Sequence, residues 1–296
     1  MKKPASYQPV TIGIVVRNAK ATIDDCLASI INCDYEKHKL EIIVVDGEST
    51  DGTVGILRKY AMIAEQKRIR FKILSDKRRG LGFARQLVVE NSSFDYICWV
   101  DSDTVITPNL CKLQMAFVEE KPLAGIVVPL VLSRGRSFIE RLQEYVWLMP
   151  MVSAVKTKRT PYITMQGAIT PVRALKAVNG FDITIKGAGE DNDIVSRLKL
   201  KNYAVLVNGK AFVYHLMPKS YSCLLRHIAW YGHTEPEKRT KILIKECLFR
   251  FSLYIKLTLL TARTFRDVAC VLVPFHVILL NTVWFLSHFT SIRENC

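Results

Sequence analysis

Residues 40–53 read LEIIVVDGESTDGT. An apolar run rich in β-branched residues ends on an acid, Asp46; Gly47 turns the chain; Ser49, Thr50 and Asp51 are capping residues; and a helix starts at Thr53. An aliphatic strand needs cover on both faces, and a parallel neighbour needs a helical crossover, so this unit predicts a doubly wound sheet. The unit repeats on either side. VTIGIVV (10–16) leads into a patterned segment over 22–31, TVGILRKYA (53–61) leads to RIRFKILSD (68–76), and a helical segment around 83–89 leads to YICWVD (96–101). In such a sheet ligands lie beyond the carboxyl ends of the strands. Asp46, Asp76 and Asp101 each follow an apolar run and are candidates on that ground.

The second half has longer irregular connections, as in an α+β continuation of the same sheet. Two strand-like runs, YAVLV (203–207) and AFVYH (211–215), precede a helical segment over 220–232. No repeat or low-complexity tract intervenes, so residues 1–240 are expected to form one catalytic unit. From Lys241 the composition changes. Lys241, Lys245, Ser252, Lys256 and Arg263 fall on one narrow helical stripe with apolar residues around the rest, the form of a helix lying in a membrane interface. VACVLVPFHVILLNTVWFLSHF (268–289) then runs without a fixed charge and, as a helix, is long enough to cross ~30 Å of hydrocarbon. Pro274, His276 and Asn281 keep an in-plane helix, a buried hairpin and a dimerisation element open as alternatives. Residues 241–296 are expected to be a membrane-associating helical segment.

Lysine and arginine number 42 against 27 acids, a formal charge of +15 over 296 residues. Such an excess suits nucleic acid, an anionic membrane surface or a phosphate-rich ligand. No helix-turn-helix, zinc-finger or RNA-binding aromatic signature accompanies it, so nucleic acid is set aside. The eight cysteines show no C-x-x-C spacing and no nearby histidine cluster, which disfavours a zinc module and leaves free thiols in a reducing compartment. The opening MKKPASYQPVTIGIVV has a short apolar run broken by Gly13 and no small-residue cleavage site. It is not read as a signal peptide, and the catalytic unit is expected in the cytoplasm, at the membrane.

The sharpest chemical signal is Asp101-Ser102-Asp103. On an extended segment residues i and i+2 share a side, so both carboxylates are expected to face the crevice and Ser102 to face away. Two hard oxygen ligands at the carboxyl edge of a sheet suit Mg²⁺ or Mn²⁺ holding a diphosphate. Taken alone the pattern is equally that of a turn or an N-cap, since Thr104 to Asn109 leads into a helix. Asp46 likewise either meets a base or ribose edge or caps its own turn.

Seven stretches in order resemble the family 2 glycosyltransferases of the GT-A fold: IGIVVRNAKATIDDCLASI (12–30), EIIVVDGESTDGT (41–53), KRRGLGFARQ (77–86), YICWVDSDTVITPNL (96–110), MQGAITPVRALKAVNGFD (165–182), GEDNDIVSRLKLKNYAV (189–205) and VYHLMPKSYSCLLRHIAWYG (213–232). The resemblance implies an α/β fold with a mostly parallel sheet, and a UDP- or GDP-linked sugar as donor. It implies that Asp46 contacts the base and Asp101 the ribose, with Asn18, Asp76, Gly80, Arg85 and Ser102 also on the nucleotide-sugar side. Asp103 and His215 would hold Mn²⁺ or Mg²⁺, Asp191 would be the general base, and Glu190 would position the acceptor or its loop.

The resemblance further implies inverting, single-displacement transfer to a hydroxyl acceptor, a lipid-linked or polymer-linked glycan at the membrane. The chain departs from the family in three places. Asn18-Ala19 lacks the acid usual after the asparagine, Arg17 replaces a small or hydroxyl residue, and Lys77-Arg78-Arg79 is more basic than usual. Arg226-His227-x-x-Trp230-Tyr231 only faintly matches the Q-x-x-R-W motif of processive synthases, so single addition is expected. A nucleotidyltransferase and a catalytically inactive glycan-binding relative are the alternatives. The first lacks its Gly-rich, Lys-bearing phosphate loop after the first strand.

Overall fold

The computed structural model describes residues 7–135, 137–155, 164–218, 220–234 and 268–294, with 252, 255 and 256. In the first half, strands β1 (Val10–Val16), β2 (Leu40–Asp46), β3 (Arg70–Ser75) and β4 (Tyr96–Trp99) are parallel, in the order β3-β2-β1-β4. Helices α1 (Ile23–Ile31), α2 (Thr53–Gln66) and α3 (Leu81–Asn91) make the crossovers. Strand β2 shows why the run is apolar throughout: Leu40, Ile42 and Val44 face one core with α1 and α2, while Ile43 and Val45 face a second core with α3. The strand order reverses between β1 and β4, and that gap is where such a sheet opens to a ligand.

The sheet continues through β5 (Thr104–Ile106), β6 (Ala124–Ser133), β7 (Ile169–Pro171) and β8 (Ala204–His215) to the full order β3-β2-β1-β4-β7-β6-β8-β5. Helices α4 (Leu110–Glu119), α5 (Phe138–Val155), α6 (Val172–Lys176) and α7 (Glu190–Leu200) join these strands. β7 runs antiparallel to β4 and β6, and β5 runs antiparallel to β8. Only residues 100–103 separate β4 from β5, yet four strand steps lie between them in the sheet. A flat sheet would demand about 19 Å of fully stretched chain. The sheet therefore curls, and β5 returns over α1, where the Ile106 amide donates to Ser29 Oγ at 3.1 Å. The short link that forces the curl carries the D-x-D acids.

Two sequence expectations change. YAVLV and AFVYH are one strand, β8, whose register against β6 shifts between the Pro129–Asn208 and Leu130–Phe212 pairs. Pro129 has no amide to give the ladder, and Asn208 turns its side chain to the Leu113 carbonyl instead. Thr104 to Ile106, expected only to lead into a helix, form the short strand β5.

Helices α8 (Tyr221–Thr234) and α9 (Val268–Glu294) close the described chain. α9 packs along α8 and α5, with Val273 and Val277 against Leu142, Tyr145 and Met149. Among the described residues no helix is long and apolar enough to cross a membrane. Most of the stripe from Lys241 to Arg263 lies outside the described residues; Ser252 and Lys256 are exposed.

Candidate active site

Beyond β4 the chain turns: the Thr104 amide donates to the Asp101 carbonyl at 2.9 Å, and the Cys26 thiol on α1 donates to the same oxygen at 3.5 Å. The D-x-D segment is thus a turn and not an extended run. The expected alternation does not apply, and Asp101, Ser102 and Asp103 all line one cleft of about 260 Å³.

Asp103 is placed by the sheet itself. Thr104 pairs with His215 across β5 and β8, and the Leu216 amide donates to the Asp103 carbonyl at 2.8 Å. This register brings His215 Nε2 to 3.1 Å from Asp103 Oδ2. Burial disfavours both charges, but each partner outweighs it: the His215 imidazole is raised and the Asp103 carboxyl is lowered. The other polar atoms of the pair, Asp103 Oδ1 and His215 Nδ1, are buried with no hydrogen-bond partner among the described residues. His227 stands near them on α8, its imidazole pushed down by burial.

Arg85 forms the opposite wall. It projects from α3, is only 4% exposed, lies over the Trp99 ring, and donates through Nη2 to Asp101 Oδ1 at 2.8 Å. Its Nε is 3.6 Å from Glu190 Oε1. Nε and Nη1 are buried with no hydrogen-bond partner among the described residues. Glu190 opens α7, and burial, with Asp191 next to it, pushes its carboxyl up to about 8. Asp191 is half-buried on the cleft, one oxygen accepting from the Asn192 amide at 2.7 Å.

Two glycines explain how α3 and α7 meet. Gly189 caps α7 at φ +108°, a left-handed value that side chains avoid. Gly80, at φ +104°, faces the backbone of Lys186 so closely that a Cβ would lie 2.4 Å from its Cα. The Leu81 and Gly82 amides then donate to the carbonyls of Lys186 and Ile185 at 3.0 and 2.9 Å. The loop ahead of Glu190 and Asp191 is fastened to the start of the helix that carries Arg85.

The structure therefore gathers Arg85, Asp101, Ser102, Asp103, Glu190, Asp191 and His215 in one cleft. Asn18, Asp46, Asp76 and Gly80 are not in its lining. The first three stand at the ends of β1, β2 and β3 and make a hydrogen-bonded cluster of their own. Both Asp46 oxygens accept from Ser49, at 3.0 and 2.6 Å; Asn18 Oδ1 accepts from the Thr50 amide at 2.9 Å; and Asp76 accepts from the Arg78 amide at 2.7 Å. The cluster adjoins the cleft through Val15 and Leu81, which line it. Lys77, Arg78 and Arg79 are all exposed, with Arg79 laid over the Phe83 ring.

The cleft also holds residues that were given no role from sequence. Gln143, Thr164 and Gln166 line its floor, all buried. On α8, His227 and Tyr231 have ring centroids 4.8 Å apart, and Trp230 stands 45% exposed beside them. Leu224, His227, Ile228 and Tyr231 recur at helical spacing, a signal present in the sequence that does not say which neighbour the face meets.

The family description "Glycosyl transferase family 2" matches residues 11–177, and "Glycosyl transferase family group 2" matches residues 96–292. Among curated relatives, the chain is 31% identical over 112 residues to a putative glycosyltransferase, EpsH, of Bacillus subtilis, covering 38% of this chain and 30% of that protein. It is 24% identical over 214 residues to a poly-beta-1,6-N-acetyl-D-glucosamine synthase of Staphylococcus aureus, covering 71% of this chain and 50% of the other. The chain thus spans half or less of these relatives. Among solved structures, the mannosyltransferase PcManGT of Pyrobaculum calidifontis, in complex with GDP-Man and Mn²⁺, superposes with a TM-score of 0.66 at 17% identity over 99% of this chain and 91% of that one. S. aureus TarS 1–349 with UDP-GlcNAc gives 0.55 at 17% identity over 96% and 73%. At such identities the structures speak for the fold. With a family description covering more than half its length and a mixed, curled sheet of the matching architecture, the chain belongs to glycosyltransferase family 2 and has the GT-A fold.

Proposed function

We propose that this protein transfers one sugar from a nucleoside diphosphate donor to a hydroxyl of a glycan acceptor, by single displacement with inversion. One observation carries the proposal: an Asp103–His215 pair and the Asp191 carboxylate line the same cleft, at the open end of the sheet. Family membership and the donors bound in PcManGT and TarS support a UDP- or GDP-linked sugar.

The residues present fit Mn²⁺ or Mg²⁺: Asp103, with a buried, unpartnered oxygen, and His215, with its imidazole, would hold the ion. Among the described residues no three side chains make a metal site on their own, which suits an ion that arrives with a diphosphate. Bound there, the ion supplies neutralisation of charge on the leaving nucleoside diphosphate. The chain supplies the rest. Arg85 holds Asp101 against the nucleotide side and stands beside Glu190. The Asn18, Asp46 and Asp76 cluster and the Gly80 loop receive the nucleoside. Burial and the neighbouring Asp191 keep Glu190 largely protonated at neutral pH, which leaves Asp191 as the carboxylate on the cleft to accept the proton of the attacking hydroxyl.

The aromatic ledge of His227, Trp230 and Tyr231 lies on the acceptor side, where flat rings suit a sugar face. The acceptor is a lipid-linked or polymer-linked glycan, extended by a single addition. Residues 1–240 act as the cytoplasmic catalytic unit, and 241–296 keep it at the membrane surface. No nucleic acid takes part. The test is incubation with UDP-GlcNAc or GDP-mannose, Mn²⁺ and a bacterial lipid extract, with the product's anomeric configuration read by NMR. A product opposite to the donor at the anomeric carbon is expected, and a retained configuration contradicts the mechanism. Donor binding without any turnover would favour the inactive relative.

A further inference from the structure

The outer side of α9 is apolar. Its exposed residues are Leu272, Phe275, Ile278, Leu279, Thr282 and Leu286, spread over roughly 21 Å of helix, and Phe275 is 68% exposed. This polarity is the reverse of that on a water-facing helix, which turns its polar stripe outward. Here His276 and Asn281 are the buried ones, with His276 Nδ1 3.5 Å from the Tyr221 hydroxyl. Thr282, the polar member of the outer face, donates to the Ile278 carbonyl at 2.9 Å, and Ser287 at its margin donates to the Val283 carbonyl at 2.8 Å. Both hydroxyls are satisfied within the helix. That is the condition hydrocarbon imposes, because it offers no partner to a polar group.

We propose that this face of α9 lies flat in the boundary between headgroups and acyl chains of an anionic bilayer, and so carries the cleft to a membrane-held acceptor; the second part rests on the function proposed above. Charge selects a bilayer over a second copy of the chain. The protein carries +15, and Lys241, Lys245, Lys256 and Arg263 precede α9 in a stretch, 238–266, whose one acid is Glu246. Two such chains repel, whereas a surface of anionic lipid attracts. Packing selects the in-plane arrangement, since the inner side of α9 between Val273 and Trp284 is buried and the helix packs on α8 and α5. A helix pinned to a folded domain on one side has only the other to offer. α8 lies between α9 and the cleft, lining the latter with Leu224, His227 and Tyr231. The cleft is thus one helix layer, about 10 Å, from the lipid.

Flotation of the full chain with vesicles tests the proposal. With vesicles of phosphatidylcholine and phosphatidylglycerol at a ratio of about 7:3, the wild type is expected to float. Phe275→Ser/Leu279→Ser is expected to float at least about five-fold less, with melting temperature and hydrolysis of soluble donor unchanged. Should the double variant fail to fold, Phe275→Trp serves in its place and is expected to float as completely as the wild type or more so. Equal flotation of the folded double variant overturns the proposal. So does a wild type that stays off the vesicles, a Phe275→Trp chain that loses them, or a wild-type dimer that the double variant converts to a monomer without any effect of lipid. Donor hydrolysis is followed in parallel, so failure on vesicles with hydrolysis intact removes the lipid face and leaves the catalytic proposal standing.

Discussion

Asp103 and His215 stand in different halves of the chain, yet their side chains meet at 3.1 Å because Thr104 and His215 are partners across β5 and β8. A three-residue strand therefore fixes half of the proposed metal site. The link that precedes it is too short to reach a flat sheet's edge, so the curl of the sheet and the closeness of the pair have one origin. The predicted consequence is that nucleoside diphosphate and Mn²⁺ together raise the melting temperature of the wild type and leave Asp103→Ala unmoved. Differential scanning fluorimetry measures it, and an equal rise in both proteins would separate Asp103 from metal binding.

Glu190 makes stability depend on pH. Its carboxyl titrates at about 8 in the fold and in the ordinary carboxylate range when unfolded. The folded state then holds the extra proton, so the contribution is fully present below the ordinary range and is lost as pH rises through about 8. The ligand-free wild type is expected to lose melting temperature between pH 5 and 8, whereas Glu190→Gln follows a flatter curve and becomes the more stable protein at pH 8. Parallel curves would show that Glu190 is not held protonated.

Arg85 serves two acids at once, Asp101 and Glu190. Arg85→Ala leaves Asp101 without its counter-charge and removes a buried side chain packed between Trp99 and Glu190, which is expected to cost about 3 kcal/mol in urea unfolding. Arg85→Lys should recover only part of that loss, because a single ammonium cannot reproduce the planar fork that reaches both acids. Full recovery by lysine would reduce Arg85 to a generic charge.

On the acceptor side, Trp230→Ala is expected to raise the acceptor KM about five-fold, the size of one aromatic contact, with the rate of donor hydrolysis in water unchanged. Trp230→Phe should restore most of the affinity. An acceptor KM that does not move places the ledge outside the acceptor path.

The parallel half of the sheet was legible because each strand is an apolar run long enough to show its period, as in VTIGIVV and LEIIVVD, and each is followed by capping residues. β5 was not, since three residues carry no period. β8 read as two strands because Asn208-Gly209-Lys210 breaks the apolar run at the point where Pro129 across the ladder has no amide to offer. Among the site residues, Asp103, Asp191 and His215 were legible through the resemblance, and their convergence in one cleft depends on pairing that only the fold supplies. Asp46 shows the opposite limit. Its place at the end of β2 could be read, but not that Ser49 would engage both of its oxygens. The facing of Tyr231 and His227 into the cleft likewise depends on α9 holding the other side of α8, a contact between segments separated by more than thirty residues.

The measurement that bears most directly on the proposed mechanism is the release of nucleoside diphosphate from donor sugar by the purified chain, with and without Mn²⁺. Slow release is expected with the metal and none after chelation, with losses of about 10²-fold or more in both Asp103→Ala and Asp191→Asn. Release that persists in chelator, or at wild-type rate in Asp103→Ala, would contradict a cleft built around Asp103, His215 and a divalent ion.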